Sequence, residues 1–431
     1  MWAASPHPSG CRGERRAPRL FPWYTAARVA RRVISLYTGA GGMDYGFEAA
    51  GFETAVALEL DPDCCQTLKR NRPWPLIDRS IFDVPTPELL AAGRLKPREA
   101  DVLIGGPPCQ PFSKSGWWAR GDSARLEDPR ADTLSAYLRV VEEALPRAFV
   151  LENVGGLAFS GKDEGLRLLL DRIERLNAKQ GTAYRPRWKV LSAADAGVPQ
   201  LRERFLLVAA RDGSAFEFPA PVVTKPRTAW DALGDLPEAP VEPLHVRGKW
   251  ADLLPSIPEG QNYLFHTDRG GGVPLFGWRT RYWTFLLKLA KARPSWTIQA
   301  QPGPAVGPFH WKSRRLSIQE LARLQTFPDG VRIAGSDASA RKQLGNAVPS
   351  LLAEVLGREI RRQLLGEPRA RGGWKLLPPD RGEPPPPEPP RPVPRSFREL
   401  IGDHPPHPGT GKGPLRFPRQ EGSSRATMAS R

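Results

Sequence analysis

Short apolar runs alternate along the first half of the chain with segments of helical periodicity. Runs such as VISL, AVAL, VLI and FVL have the length and composition of buried strands. The predicted strands begin at Val33, occupy 54–60, 76–84, 102–104 and 148–157, and recur twice within 188–211. Strands that alternate with helices predict an α/β domain with a mostly parallel, Rossmann-like sheet.

Helical periodicity predicts the connecting elements. Helices are expected over 63–71, 133–143, 165–177 and 315–329. In the last of these, Ser317 is the predicted N-cap and Glu320 occupies the capping-box position. One more helix is predicted from an apolar stripe formed by Val348, Leu351, Leu352, Val355, Leu356 and Ile360.

Periodicity weakens after Asp212, where Pro, Gly, Trp, His and Arg become frequent. This pattern predicts a smaller, irregular β-rich domain. In FGWRTRYW at 276–283, Arg279 and Arg281 are interleaved with aromatic residues, a combination that suits contacts with phosphates and base edges. The aromatic residues could equally form the core of the domain. We expect both, with Trp and Tyr inside and Arg outside.

Both ends of the chain have the composition of disordered segments. Residues 1–32 form a basic arm without periodicity, and residues 366–431 form a tail rich in Pro and Arg. We expect disorder in both. The arm could instead reflect a start codon assigned too far upstream.

Composition narrows the classes of function. A net charge of +17 favours a polyanionic partner, although part of that charge lies in the ends of the chain. The four cysteines contain no CxxC pair and the six histidines are scattered, so we expect neither a disulfide framework nor a metal site. The sequence has no apolar run of membrane-spanning length, which predicts no membrane association and a cytoplasmic location.

A glycine-rich turn follows the first predicted strand. Gly39, Gly41 and Gly42 precede a helix, and Glu59 ends the next strand twenty positions after Gly39. A glycine turn at a helix N-terminus brings backbone N–H groups to a nucleotide, and an acid at this spacing suits a ribose diol. A tight structural turn and a solvated acid are the alternatives on pattern alone.

The segment DVLIGGPPCQPFSKSG at 101–116 carries a cysteine in a stiff loop. Cys109 follows a buried strand and lies between prolines, which limits the conformations of the loop. A structural cysteine is the commoner outcome, but the polar neighbours favour a reactive thiol. Glu152 ends another strand, so the two groups are expected at the same edge of the sheet.

Several segments together resemble the DNA (cytosine-5) methyltransferases of the compact bacterial restriction-modification type. The similarity covers about 33–365 and lies in GGPPCQPFS at 105–113, ENV at 152–154, QLRER at 200–204, RLSIQELARLQTFPD at 315–329 and QLGNAVPS at 343–350. The resemblance implies a catalytic domain that binds S-adenosyl-L-methionine over 33–211 plus 340–365. It also implies a target recognition domain and hinge over 212–339.

The resemblance implies roles for individual residues. Cys109 would be the nucleophile, and Glu152, Arg202 and Arg204 would complete the catalytic set. The implied cofactor contacts are Tyr37, Thr38, Gly39, Gly41, Gly42, Glu59, Leu60, Ser80, Ile81, Pro107, Leu134, Asn346 and Ala347. The implied DNA contacts are Gln110, Ser113 and Thr297, beside Arg279 and Arg281. Ser80 and Ile81 stand where the family usually has an Asp-Ile pair, with Asp83 close by.

The implied reaction is transfer of a methyl group to C5 of a cytosine flipped out of double-stranded DNA, through a covalent adduct of Cys109. A monomer that shares its target site with a restriction endonuclease is the expected setting. An RNA cytosine-5 methyltransferase and a catalytically silent DNA-binding regulator are the alternatives. A dehydrogenase would leave PPCQ and ENV unexplained.

Overall fold

The computed structural model describes residues 30–108, 132–154, 164–238, 244–278 and 282–402. Its strands are Arg31–Leu36 (β1), Phe52–Leu58 (β2), Leu76–Ile77 (β3), Val102–Gly105 (β4), Ala148–Asn153 (β5), Arg187–Ser192 (β6), Gln200–Leu201 (β7), Glu203–Ala210 (β8) and Ser295–Trp296 (β9). Its helices are Gly42–Ala49 (α1), Pro62–Asn71 (α2), Thr86–Ala92 (α3), Asp132–Ala144 (α4), Glu164–Gln180 (α5), Ala229–Leu233 (α6), Ile318–Leu324 (α7), Asp337–Asn346 (α8) and Ser350–Gln363 (α9).

Seven strands form one sheet in the order β3-β2-β1-β4-β5-β8-β6. The strands from β1 to β5 pair in parallel, whereas β8 runs antiparallel to both of its neighbours. The predicted mostly parallel α/β sheet is therefore confirmed. Because β1, β2, β4 and β5 point the same way, the loops that follow them meet at one edge.

Alternation along the strands divides the apolar side chains between two layers. Ile34 and Leu103 belong to the layer that contains residues of α3, α4 and α5, whereas Val33 and Val102 belong to the layer under α1 and α9. Both faces of the sheet are thus covered by helices, as expected for a parallel sheet.

The first strand begins two residues before the predicted position. Arg31 pairs with Phe52, and its guanidinium contacts Asp101 at 3.1 Å and Glu367 at 2.7 Å. The expectation of disorder is therefore wrong for Arg31 and Arg32, because pairing with β2 and these carboxylates hold the strand end in place. Residues 1–29 of the predicted arm lie outside the described residues.

The region from Asp212 to about His310 is irregular, as predicted. Within its described residues, regular structure consists of short 3₁₀ turns at 251–256 and 263–266, the short strand β9, the short helix α6 and isolated β-bridges. Trp250 and Tyr263 lie in a separate hydrophobic cluster with Leu253, Leu254 and Phe309. Aromatic residues therefore supply part of the core of this region. In α7, the Ser317 and Glu320 side chains form the predicted capping box.

The expectation of a disordered tail from residue 366 is wrong up to residue 402. Trp374, Leu376 and Leu377 pack against the apolar layer under α9, and Val393 and Phe397 are buried in the cluster around Trp250. Apolar residues spaced along a proline-rich segment anchor it, and Phe397 lies in a short 3₁₀ helix, Arg395–Leu400. Residues 403–431 lie outside the described part of the chain.

Two more features concern the helices. Gly345 and Asn346 are the last residues of α8, and α9 begins after Pro349. In the described ranges, no helix is both long and apolar enough to cross a bilayer.

Helices α1 and α9 meet at backbone distance through Gly46. A Cβ atom at Gly46 would lie 2.2 Å from the carbonyl oxygen of Ser350 and 2.4 Å from the Cβ of Ala353. This contact joins two helices that lie some three hundred positions apart in the sequence.

We predict that Gly46→Ala lowers the free energy of unfolding by about 1–3 kcal/mol, because the added methyl group forces the two helices apart. Chemical denaturation of the full chain measures the effect. Gly373→Ala is the matched control, since a Cβ there meets nothing within 4 Å. Equal stabilities of the two variants would contradict the close packing of α1 on α9.

Candidate active site

The loops at the carboxyl edge of the sheet bring most of the described candidate residues together. Gly39 follows β1, Glu59 follows β2, Pro107 follows β4 and Glu152 lies near the end of β5. Cys109, Gln110 and Ser113 follow β4 in the sequence but lie outside the described residues. That Cys109 and Glu152 share one edge of the sheet therefore stays a prediction.

Glu152 and Arg204 form a buried ion pair. Glu152 Oε1 lies 2.6 Å from Arg204 Nε, and each side chain is 11% exposed. Glu152 stands opposite Leu206 in the β5–β8 register, and Arg204 lies two residues along β8, on the same face as Leu206. The antiparallel pairing of β8 therefore brings the arginine to the carboxylate.

Burial sets the protonation of this pair. Removal from water raises the pKa of the Glu152 carboxyl, and the charge of Arg204 opposes that rise without cancelling it. The carboxyl consequently holds its proton to a higher pH than an exposed glutamate does. A carboxyl that keeps its proton above the usual range can act as a proton donor to a ring nitrogen.

Gly106, the first residue after β4, lets the backbone pass close to the Glu152 side chain. A Cβ at Gly106 would lie 2.7 Å from Glu152 Oε2. The Asn153 side-chain amide donates to the Pro107 carbonyl at 3.4 Å, and the Thr133 hydroxyl donates to the Pro108 carbonyl at 3.3 Å. These contacts fix the described start of the loop that carries Cys109 in the sequence.

The Glu59 carboxylate organises the glycine turn after β1. It accepts hydrogen bonds from the backbone N–H groups of Gly39 at 2.6 Å and of Leu60 and Asp61 at 2.8 Å each. Oε2 accepts only the Gly39 bond among the described contacts, so one of its acceptor positions is left for another donor. Leu60 beside it is 61% exposed, which leaves an apolar surface next to the acid.

Five other predicted cofactor contacts lie in this turn or on the segments around it. The Tyr37 hydroxyl donates to the Thr133 carbonyl at 2.8 Å, next to Leu134, which packs against the core. A Cβ at Gly42 would lie 3.3 Å from the Ala347 Cβ. The end of α8 therefore packs on the glycine turn, and Asn346 there is exposed.

The remaining predicted cofactor residues have structural contacts. The Thr38 hydroxyl lies 3.0 Å from that of Ser35, and Gly41 is the N-cap of α1 in a left-handed conformation. The Ser80 hydroxyl accepts from the Phe82 N–H at 3.3 Å, which caps the turn after β3, and Ile81 is buried.

Arg202 lies apart from Glu152 in its contacts. Its guanidinium, 2% exposed as a residue, donates to the carbonyls of Ile298 at 3.2 Å, Gly345 at 2.6 Å and Ala347 at 3.0 Å. All of its described partners are backbone carbonyl oxygens, one just after β9 and two at the end of α8. These contacts hold backbone segments in place, whereas Arg204 pairs with Glu152, and the catalytic role predicted for Arg202 stays a prediction.

Gln200 and Gln325 extend this buried polar cluster. The Gln200 amide donates to Gln325 Oε1 at 3.0 Å and accepts from the Ile298 N–H at 3.1 Å. Gln325, at the end of α7, was not identified from the sequence. The only sequence signal for Gln325 is its position near the end of a capped helix, in the segment RLSIQELARLQTFPD that contributes to the resemblance.

Candidate DNA contacts are only partly described. The Thr297 side chain is exposed, and its hydroxyl donates to the Leu201 carbonyl at 2.6 Å. Arg279 and Arg281 lie outside the described residues. Beside Thr297, Trp296 and Trp283 are 37% and 42% exposed, with their rings 5.3 Å apart. These two tryptophans were not singled out from the sequence.

No group of three or more His, Cys, Asp or Glu side chains that could hold a metal ion exists within the described ranges. The described free thiols, Cys64 and Cys65, are buried, and burial raises the pKa of both, that of Cys65 to about 11. Neither is a candidate nucleophile at neutral pH.

Comparison with known proteins agrees with this geometry. The family model for C-5 cytosine-specific DNA methylase matches residues 31–362. The Type II methyltransferase M.SacI of Streptomyces achromogenes is 41% identical, over 77% of this chain and 93% of its own length. The Type II methyltransferase M.NgoMIV of Neisseria gonorrhoeae is 33% identical, over 78% of this chain and 98% of its own.

A solved structure shares the fold. The Entamoeba histolytica methyltransferase EhMeth superposes with a TM-score of 0.54 at 15% identity, over 78% of this chain and 99% of its own. The family match spans both the sheet with its carboxyl-edge residues and the irregular region. The resemblance seen in the sequence is confirmed, and the chain belongs to the C-5 cytosine-specific DNA methylase family, as a DNA (cytosine-5-)-methyltransferase.

Proposed function

We propose that the protein transfers a methyl group from S-adenosyl-L-methionine to C5 of a cytosine flipped out of a specific short sequence in double-stranded DNA. The observation that carries the proposal is the buried Glu152–Arg204 pair, packed against Gly106 at the start of the loop that leads to Cys109. A carboxyl with a raised pKa beside a fixed cation suits recognition of a neutral base with donor and acceptor atoms on one edge.

The residues around Glu59 fit the proposed cofactor. Glu59 Oε2 keeps an acceptor position for a ribose hydroxyl, and nothing lies within 4 Å of a Cβ at Gly39, so the turn opens onto free space. The exposed Leu60 side chain suits the flat face of an adenine ring. When bound, S-adenosyl-L-methionine would supply an electrophilic methyl group on a sulfonium.

In the proposed reaction, the Cys109 thiolate adds to C6 of cytosine. The electron pair of the C5–C6 bond shifts as N3 takes a proton from Glu152, and C5 becomes nucleophilic. C5 then takes the methyl group, a base removes the C5 proton, and the C6–S bond breaks as N3 returns its proton to Glu152. Arg204 would hold the O2 side of the ring and offset its charge.

Base flipping is required by the proposed attack on the ring. A cytosine stacked in a duplex does not expose its ring face to a thiol, so the base must leave the stack. The net charge of +17 supplies affinity for phosphates. Trp283 and Trp296, exposed beside Thr297, belong to the segment 212–339, here called the recognition region, and would contact the DNA.

A protective role in restriction-modification is the proposed setting. The relatives named above are Type II methyltransferases. We infer that this chain, acting as a monomer, modifies sites that a companion endonuclease would otherwise cleave. The endonuclease would share the target sequence and need not bind this protein.

The first prediction concerns the nucleophile. DNA from a methylation-free host that expresses the chain should carry 5-methylcytosine at one short motif, and Cys109→Ala should remove it completely, because the proposed adduct forms on this thiol and the described thiols, Cys64 and Cys65, are buried. Bisulfite sequencing measures both. Cys64→Ala, which alters a buried thiol on α2, should leave the methylation in place. Methylation that persists in Cys109→Ala would contradict the mechanism, and none from the wild type would favour an RNA substrate or a silent regulator.

The second prediction concerns the proton donor. Glu152→Gln should lower kcat by roughly 10²–10⁴-fold, because the amide cannot transfer a proton to N3. Since burial raises the pKa of Glu152, the wild-type rate should fall as pH rises through that pKa, and the variant should lose this decline. Pre-steady-state methylation across pH measures both. Glu203→Gln on the exposed face of β8 is the control and should keep the wild-type profile.

The third prediction concerns DNA contact. Replacing both Trp283 and Trp296 by Ala should weaken binding of unmethylated plasmid DNA by about tenfold, the loss expected when about 1.4 kcal/mol of contact is removed. The affinity for S-adenosyl-L-methionine should not change. Trp188→Ala is the matched control, since Trp188 on the outermost strand β6 is also 42% exposed. Equal DNA affinities for the two would show that this face does not contact DNA.

A further inference from the structure

Residues 374–400, which we call the C-terminal strap, run from the catalytic sheet to the recognition region. At one end, Leu376 and Leu377 pack on the apolar layer under α9. At the other end, Val393 and Phe397 are 8% and 6% exposed, and the Phe397 ring stacks on Trp250 with centroids 5.8 Å apart and planes at 20°. The strap therefore contributes to the hydrophobic clusters of both parts of the molecule.

Between its two buried ends, the strap binds Asp231 in helix α6. The Arg381 backbone N–H donates to Asp231 Oδ1 at 2.9 Å, and its Nε donates to the Asp231 carbonyl at 3.0 Å. Asp231 is buried and also caps α6 through Thr228. One carboxylate thus holds both the hinge helix and the strap.

The strap next covers charged groups of the recognition region. The Lys291 ammonium is buried, pairs with Glu259 at 2.8 Å and donates to the Pro386 carbonyl at 3.4 Å. Glu388 forms an ion pair with Lys312. Because these bonds tie Pro386 and Glu388 to two lysines of the recognition region, they set the position of the strap along it.

The composition of the strap makes it stiff. Eight of the twelve residues from 383 to 394 are proline. Such a segment adopts an extended polyproline conformation of about 3.1 Å per residue and acts as a semi-rigid spacer. A stiff segment with two buried ends fixes a distance, whereas a flexible one would only limit it.

The strap lies beyond residue 362, where the family match ends, so no family motif assigns it a role. We propose that it is a positioning element that holds the recognition region in the orientation needed to bind DNA, without contributing to the chemical step. The proposal rests on the proposed function, since it takes double-stranded DNA as the substrate.

The test loosens the strap and keeps both of its anchors. Nine Gly and Ser residues inserted between the exposed residues Gly382 and Glu383 of the full chain separate the bond to Asp231 from the contacts with Lys291 and Lys312. This insertion should raise KM for unmethylated plasmid DNA by roughly tenfold, because DNA binding must then order the recognition region. The kcat, the affinity for S-adenosyl-L-methionine and the melting temperature should stay near those of the wild type. The matched control carries the same insertion between Ala370 and Arg371, both exposed and ahead of the strap.

The outcomes separate positioning from stability. A rise in KM for the strap insertion alone supports the proposal. An unchanged KM overturns it, and so does an equal rise in the control. A fall in kcat, cofactor affinity and melting temperature together with the rise in KM would show that the strap only stabilises the fold, which also overturns it.

A readout without DNA distinguishes failure of this proposal from failure of the proposed function. Amide hydrogen exchange at Arg381 and within α6 reports the bond to Asp231. Faster exchange in the strap insertion than in the control supports the strap even if the wild type methylates no cytosine in the plasmid. Equal exchange contradicts it even if the wild type is an active methyltransferase.

Discussion

A buried guanidinium holds the two parts of this enzyme together. Arg202 has no described carboxylate partner, and its two terminal nitrogens depend on three backbone carbonyls from segments that lie 96 to 145 positions later in the chain. A buried charge without such partners is strongly unfavourable, so the carbonyls of Ile298, Gly345 and Ala347 must converge when the protein folds. The recognition region and the end of α8 are thereby brought to the strand that leads into Arg204.

The catalytic and cofactor groups follow from that arrangement. Once Arg202 and Gln200 fix the chain before β8, antiparallel pairing with β5 brings Arg204 to Glu152. Ala347, whose carbonyl Arg202 binds, packs on Gly42 in the turn that Glu59 organises. The same guanidinium therefore connects the residues proposed to hold the base with those proposed to hold the cofactor. The Glu152–Arg204 pair and the packing of Ala347 on Gly42 are separate contacts, and each joins segments that are far apart in the sequence.

The recognition region obtains its stability differently. With little regular structure among its described residues, it relies on a cluster of aromatic and aliphatic side chains around Trp250, to which the strap contributes Val393 and Phe397. Its lysines 288 and 291 are buried, and burial lowers the pKa of Lys288 to about 8, while its ammonium donates to the Ile257 carbonyl at 2.7 Å. Such polar groups in a small core make its conformation dependent on each bond being formed.

Local sequence determined the elements and the family of this protein. Period-two and helical patterns, the glycine turn and the Ser317–Glu320 capping box are set by neighbouring residues, so β1, β2, β4, α2, α4, α5 and α9 were predicted within a few positions. The helices α3 and α8 were not predicted, and β3 is much shorter than the segment predicted over 76–84. The motifs that carry the resemblance are also contiguous. Glu59 at the end of β2 could be found because strand direction alone brings it to the glycine turn.

Only the tertiary structure decided which residues meet across the chain. Proline and arginine content predicted disorder beyond residue 366, but two small sets of apolar residues find buried sites more than a hundred positions away. In the sequence, Arg202 and Arg204 belong to one alternating pattern. Only the structure distinguishes them, because Arg202 donates to three backbone carbonyls and Arg204 pairs with Glu152. The physical reason is the same in both cases: burial depends on surfaces supplied by distant segments, and no local pattern records them.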